Sequence, residues 1–414
     1  MASPGGRAGL AGWPAALLLI GAGVVSAVQI GKVPAAMDAL RQSIGLSQQG
    51  AGWLLSAVGV VGALVGLLAG VAVDRLGAKR VVVAGLLLQA LAAVLATLWP
   101  GVWLLFAARL VEGLGFQAAT VAAPVLIAAT MPQRSRGAAL AAWSTFMPLG
   151  MCLALVIAPP LLERSWQALW WASAALALGG AAGVWRLSPL GAGAAQRPSH
   201  DTGLHHVWLA RGPLLLALLF LLFTTAYFAV IGFLPTLLSS AGLGEASRMG
   251  RLSAWAVVMG AGGNLAAAWL LARGARANHL LGPAFLLLAA CAAGVLLLDA
   301  QGWVRYTLCL AFGGVAGLVP ATLFAQAPRQ VSRPELAGAG NGLLMQGNNL
   351  GLVLGPALAG ALVERWGWTA VMLLVGLLCA LAVVLVTRLP VPAALNDSMP
   401  EGEHFDAGHP GLRA

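Results

Sequence analysis

"GVAVDRLGAKR", residues 70–80, places Asp74, Arg75, Lys79 and Arg80 within seven positions of a chain that is only 9% charged. Apolar residues run for about twenty positions on either side, the length needed to cross a bilayer. A short charged turn between two such runs is a loop joining two membrane-spanning helices. The rest of the chain reads the same way. Of its 414 residues 60% are apolar and mean hydropathy is +0.89, whereas soluble domains carry about 25% charged residues. Lipid, not water, solvates most of this sequence.

Hydropathy predicts twelve spans, near 12–36, 50–73, 80–98, 101–130, 137–162 and 166–187, then 209–240, 250–272, 279–299, 303–329, 337–363 and 366–388. Helices are expected, because a backbone in lipid must satisfy its own hydrogen bonds. One long polar break, "LSPLGAGAAQRPSHDTGLHHVW", divides the spans six and six. The predicted fold is an all-α integral membrane protein of twelve transmembrane helices in two six-helix bundles, 12–187 and 209–388. Residues 188–208 form the central loop and 389–414 a tail.

The formal net charge is +10, from 21 Arg and two Lys against 13 acids. In a membrane chain such an excess marks cytoplasmic loops rather than a nucleic-acid surface. With the amino terminus inside, fifteen basic residues fall on the cytoplasmic side, seven outside, and Arg109 lies within a span. Both termini and the central loop are therefore predicted to be cytoplasmic, in a bacterial inner membrane. Only Arg7 precedes the first apolar run, which passes Gly31 without a clear cleavage site, so it reads as a retained helix. Cys152, Cys291, Cys309 and Cys379 sit in apolar runs without C-x-x-C spacing and read as small buried hydrophobes. Walker sequences, metal-ligand clusters and catalytic triads are missing, so no cofactor and no enzyme activity are expected.

The halves resemble each other. A constant offset of 201 aligns Gly137 with Gly338, Gly150 with Gly351, Leu161 with Leu362, and Glu163-Arg164 with Glu364-Arg365. Two halves repeated in the same orientation place a cavity between them near mid-membrane.

Gly70-x-x-x-Asp74-Arg75-x-Gly77-x-Lys79-Arg80 resembles the signature of the major facilitator superfamily between spans two and three. The resemblance implies a secondary transporter that works by alternating access, with this loop latching the outward-open form. The residues carry a reading of their own. Gly62, Gly66 and Gly70 make a small-residue stripe for close helix approach, and Gly77 permits a tight reversal. Asp74 near a helix C-terminus opposes the dipole and needs a cation such as Arg75, Arg134 or Arg136, or another helix's N-terminus. A plain positive-inside anchor would explain Arg75, Lys79 and Arg80 but not Asp74 with its glycines, so a conformational switch is predicted. The second-half counterpart, "AAAWLLARGARANHLLG", keeps Arg273 and Arg276 but lacks an acid.

Ionisable groups deep in a membrane are costly and mark function. Arg109-x-x-x-Gly113-x-Gly115 resembles a second motif of the superfamily, whose arginine is linked to proton coupling or substrate charge. Glu112, at i+3, can pair with Arg109, so the pair is either structural or part of the transport site. Gln29 and Lys32 are also i,i+3 neighbours near Pro34; Lys32 either snorkels outward or lines the cavity. Asn341 and Asn348 share a face of span eleven, with Asn349 and Gln346 beside it; such amides either glue helices or bind solute. Tyr227, Thr224 and Thr225, Asn264, and Trp143, Ser144 and Thr145 complete the candidates. The predicted substrate is a small anionic or polar solute, with the proton as coupling ion, Glu112 as the best internal carboxylate and Asp38 near the outer rim, in a monomer. A drug or metabolite exporter of the same superfamily, or a non-transporting receptor on the same fold, are the alternatives. Span five lacks the Gly-Pro-x-x-Gly-Gly signature of drug–proton antiporters. "GKVP", "GLS" and "GWLLS", followed by "RGAALAAWSTFMPLGM", resemble the cyanate/nitroimidazole porter branch.

Overall fold

The structure, a computed structural model, describes residues 12–98, 101–187, 210–239, 246–297, 302–331 and 337–390. The described residues are helical with short connections. In the first half they form α1 (Trp13–Ile44), α2 (Gln48–Leu76), α3 (Ala78–Leu98), α4 (Val102–Thr130), α5 (Gln133–Trp143), α6 (Phe146–Leu162) and α7 (Trp166–Trp185). In the second they form α8 (Arg211–Ile231), α9 (Leu234–Ser239), α10 (Ala246–Ala272), α11 (Ala277–Leu297), α12 (Gly302–Gln326) and α13 (Ala337–Thr387). Ten of these are long and apolar enough to cross a membrane, among the described residues.

The helices agree with the twelve predicted spans once three features are taken into account. Predicted span five is broken into α5 and α6 at Ser144-Thr145. Predicted span seven continues past Gly232 into the short α9. Spans eleven and twelve form the 51-residue α13, interrupted at Gly367, whose φ of 74° is open to glycine but strained for other residues. Helix α1 also runs to Ile44, past Pro34, rather than ending near residue 36. The central loop lies outside the described residues, as does the tail beyond Pro390.

Lipid exposure explains the surface. Leu87, Leu91, Leu95 and Leu98 make an exposed stripe on α3, and Leu373, Leu377 and Leu381 make one on α13. Spacings of three and four residues keep each stripe on one helical face. Interior packing relies on glycine. A Cβ on Gly313 would overlap the Ala256 carbonyl oxygen, and one on Gly317 that of Gly260, so α12 and α10 touch backbone to backbone.

The internal repeat also appears in three dimensions. Gly150 of α6 packs on Val24 and Ala27 of α1, and its partner in the repeat, Gly351, packs on Leu221, Thr224 and Thr225 of α8. In each half the fifth span crosses the first. The halves meet where α2 packs on α13 and α6 packs on α10.

Candidate functional site

The start of α3 and the end of α7 lie together, because Lys79 Nζ donates to the Leu187 carbonyl at 2.5 Å and stands over the Trp185 ring. The reversal before it depends on Gly77, whose φ of 84° is in the left-handed region and whose N–H donates to the Val73 carbonyl. Arg75, Arg80 and Arg136 are exposed. Gly70 lies within α2, while the side chains of Asp74 and Arg134, on which the expected switch falls, lie outside the described residues.

At the end of the bundle away from Trp13 and Thr387 the halves are joined. Ser47 caps α2 by accepting from the Gly50 N–H. Beside it, the Glu364 carboxylate of α13 accepts from the Gln49 N–H at 2.8 Å. Deeper in, Ser56 Oγ donates to the Val353 carbonyl at 2.6 Å, and Gln346 donates to the Ala63 carbonyl. Gly250 of α10 packs on Leu155 and Pro159 of α6, and Gly232 packs on Leu55.

Inside the first half lies a cluster of ionisable side chains with no solvent exposure. Lys32 of α1 donates from Nζ to Glu112 Oε1 at 2.5 Å, Gln29 Oε1 at 2.6 Å and Ser173 Oγ at 3.3 Å. Arg109 of α4 reaches the other carboxylate oxygen of Glu112 from Nη1 at 2.5 Å, and the same nitrogen donates to the Gln29 carbonyl at 2.7 Å. Its Nε points to the Leu54 carbonyl of α2 at 3.5 Å. The Arg109 Nη2 is buried without a hydrogen-bond partner. Trp170 of α7, itself fully buried, lies under Lys32 with Nζ 4.7 Å from the ring centroid. With all three ionised, two cations share one carboxylate, an arrangement that is expensive to bury and leaves one positive charge in excess.

The structure brings together four of the residues singled out in the sequence: Gln29, Lys32, Arg109 and Glu112. Lys32 does not snorkel outward. Glu112 of α4 and Ser173 and Trp170 of α7 hold its ammonium, and it is fully buried inside the first half. The others lie apart from the cluster. Tyr227 of α8 is half-buried in an aromatic group, stacked on Phe223 and on Phe312 of α12 at centroid distances of 5.6 and 6.2 Å. Asn348 accepts from Thr224 Oγ1 at 2.9 Å, Gln346 bonds across to α2, and Asn341 is exposed.

Several residues of the site were missed by the sequence reading. Ser173 and Trp170 complete the cluster from α7, where a single Ser in an apolar helix was the available signal. Gln117 of α4 meets Asn349 of α13 over Gly62, whose missing side chain leaves room for both amides.

A membrane-embedded helical protein built from two repeated halves, with buried ionisable residues between spans, is a multi-pass membrane transporter. A family profile described as Major Facilitator Superfamily matches residues 18–345 and 329–409, and the chain belongs to that superfamily. It is 30% identical over 338 residues to the 3-(3-hydroxy-phenyl)propionate transporter of Escherichia coli K12, covering 78% of this chain and 80% of that one. It is 31% identical over 134 residues to the uncharacterized MFS-type transporter EfpA of Mycobacterium tuberculosis, 32% of this chain and 25% of that one. The match thus spans about a quarter of that relative's length. Among solved structures, a mutant of the nucleoside transporter NupG superposes with a TM-score of 0.73 at 14% identity, covering 90% of this chain and 98% of that one. An inward-facing, occupied bacterial homologue of the lysosomal transporter Spinster gives 0.72 at 15% identity, covering 92% and 95%. At such identities these two show a shared fold.

Proposed function

We propose that this protein is a secondary active transporter of a small organic anion, coupled to protons and working by alternating access as a monomer. The carrying observation is the buried pair of cations, Lys32 and Arg109, on the single carboxylate of Glu112, with an unpartnered Arg109 Nη2. An anionic group from the solute would take up both the surplus charge and that donor, whereas a neutral solute could accept from the donor but would leave the charge in place. The relative covering most of the chain is named for an aryl carboxylate, which agrees with this chemistry. The distribution of basic residues supports cytoplasmic termini in a bacterial inner membrane. The joined end then faces the periplasm, and residues 12–187 and 209–388 move as two bundles about their contact.

The test is uptake of labelled 3-(3-hydroxyphenyl)propionate, benzoate and an uncharged aryl amide into proteoliposomes. The acids are expected to enter and the amide to be excluded. Arg109→Ala is expected to lower acid uptake by about a hundredfold while the protein remains in the membrane fraction. Uptake of the amide at the acids' rate, or wild-type uptake in the variant, would refute the proposal.

A further inference from the structure

We infer that Lys32, not a carboxylate, carries the coupled proton, and that charge balance in its cluster enforces symport of one proton with one solute anion. The inference rests on the organic-anion reading above. It starts from the charges facing the Lys32 ammonium. Glu112 and Arg109 face it from α4, Ser173 and the Trp170 ring from α7, and Gln29 from its own helix. From α2 the cluster receives only an uncharged group, the Leu54 carbonyl that faces Arg109. All of these side chains are buried, and Lys32, Arg109 and Glu112 have no exposure.

In such a place net charge decides which states can cross between the open forms, because moving an unbalanced charge through a low-dielectric interior is costly. Arginine keeps its proton in proteins. Protonating Glu112 would leave two cations side by side without a counter-ion, which is the wrong direction. With Lys32 uncharged, Arg109 and Glu112 balance and the empty carrier is neutral. With Lys32 charged, the cluster is neutral only when a second anion is present, and Arg109 Nη2 and the Trp170 indole Nε1 are buried donors left to receive it.

The cycle balances in charge and mass. At the open face Lys32 Nζ gains a proton from water and the solute carboxylate binds; this neutral form turns over. On the other face the carboxylate leaves, the ammonium returns its proton to water, and the neutral empty form turns back. Neither neutral form carries charge across the membrane.

The experiment uses the full chain in proteoliposomes with labelled 3-(3-hydroxyphenyl)propionate as probe. Wild type is expected to accumulate it about tenfold per unit of inside-alkaline pH gradient. One proton, read by an internal pH dye, should accompany each anion, and an imposed potassium–valinomycin potential should leave the rate unaltered. Lys32→Arg keeps a permanent charge: the loaded form stays balanced and the empty form does not. Net uptake should therefore fall at least about tenfold more than exchange of internal for external probe. Gradient-driven accumulation by Lys32→Arg equal to wild type would overturn the inference. So would wild-type transport that moves no proton or follows the potential, a result that does not depend on whether the variant folds. Absence of any probe exchange by the wild type would instead refute the organic-anion reading, and the inference with it.

Discussion

Glu112 carries more than any other single residue, because both buried cations depend on it. Each of its carboxylate oxygens receives one of them at 2.5 Å. Removing one partner of a buried ion cluster costs about 3–5 kcal/mol, since the remaining charge is left without compensation. Glu112→Gln should accordingly lower the melting temperature of the detergent-solubilised protein by several degrees. A melting curve matching wild type would show that the cluster does not hold α1 and α4 together. At this scale the sequence was partly legible. The i,i+3 spacing exposed the Gln29–Lys32 and Arg109–Glu112 pairs, because helical geometry fixes which near neighbours meet. The link between the pairs is between residues eighty apart, and it depends on how α1 and α4 are rotated against each other. Periodicity could not supply that rotation in helices that are apolar on nearly every face, and the parts of Ser173 and Trp170 were hidden for the same reason.

Among the elements, crossing helices are governed by what glycine leaves out and by what their ends attract. Gly313 and Gly62 provide a contrast. A Cβ at Gly313 would meet the backbone oxygen of Ala256, which moves only if α10 and α12 separate. A Cβ at Gly62 would meet the ends of the Gln117 and Asn349 side chains, which can swing aside. Gly313→Ala should therefore cost about 1–3 kcal/mol and Gly62→Ala clearly less, as compared by thermal melting of the two variants. Equal losses would contradict the close backbone contact. Glu364 illustrates the ends. It sits in the last turn before the Gly367 break, where its own helix disfavours a carboxylate, yet it lies against the first turn of α2, which favours one. Glu364→Gln should shift the population towards the form open at that end by about two- to fivefold, read as faster thiol labelling of a cysteine placed at Ser56. The charged loop at 70–80 and the turn at Gly77 were legible from charge and glycine alone. The fusion of spans eleven and twelve was not, because hydropathy reports apolar length and says little about a kink.

For the whole molecule, hydropathy was enough to predict the spans and the offset of 201 enough to predict the repeat, because both are one-dimensional patterns. The matching placements of Gly150 and Gly351 against the first span of each half give the repeat its structural meaning. Which end is joined had to come from the structure, since contacts such as Ser56 with Val353 join residues nearly three hundred positions apart. The central claim is that transport requires the joined end to part as the halves move. It is tested most directly by tying that end shut. Cysteines at Gln49 and Glu364, in a background with Cys152, Cys291, Cys309 and Cys379 replaced, can be bridged by a short reducible thiol cross-linker. The account predicts that bridging reduces uptake of labelled 3-(3-hydroxyphenyl)propionate to background and that reduction restores it. Uptake at the unbridged rate while the bridge is intact would contradict it.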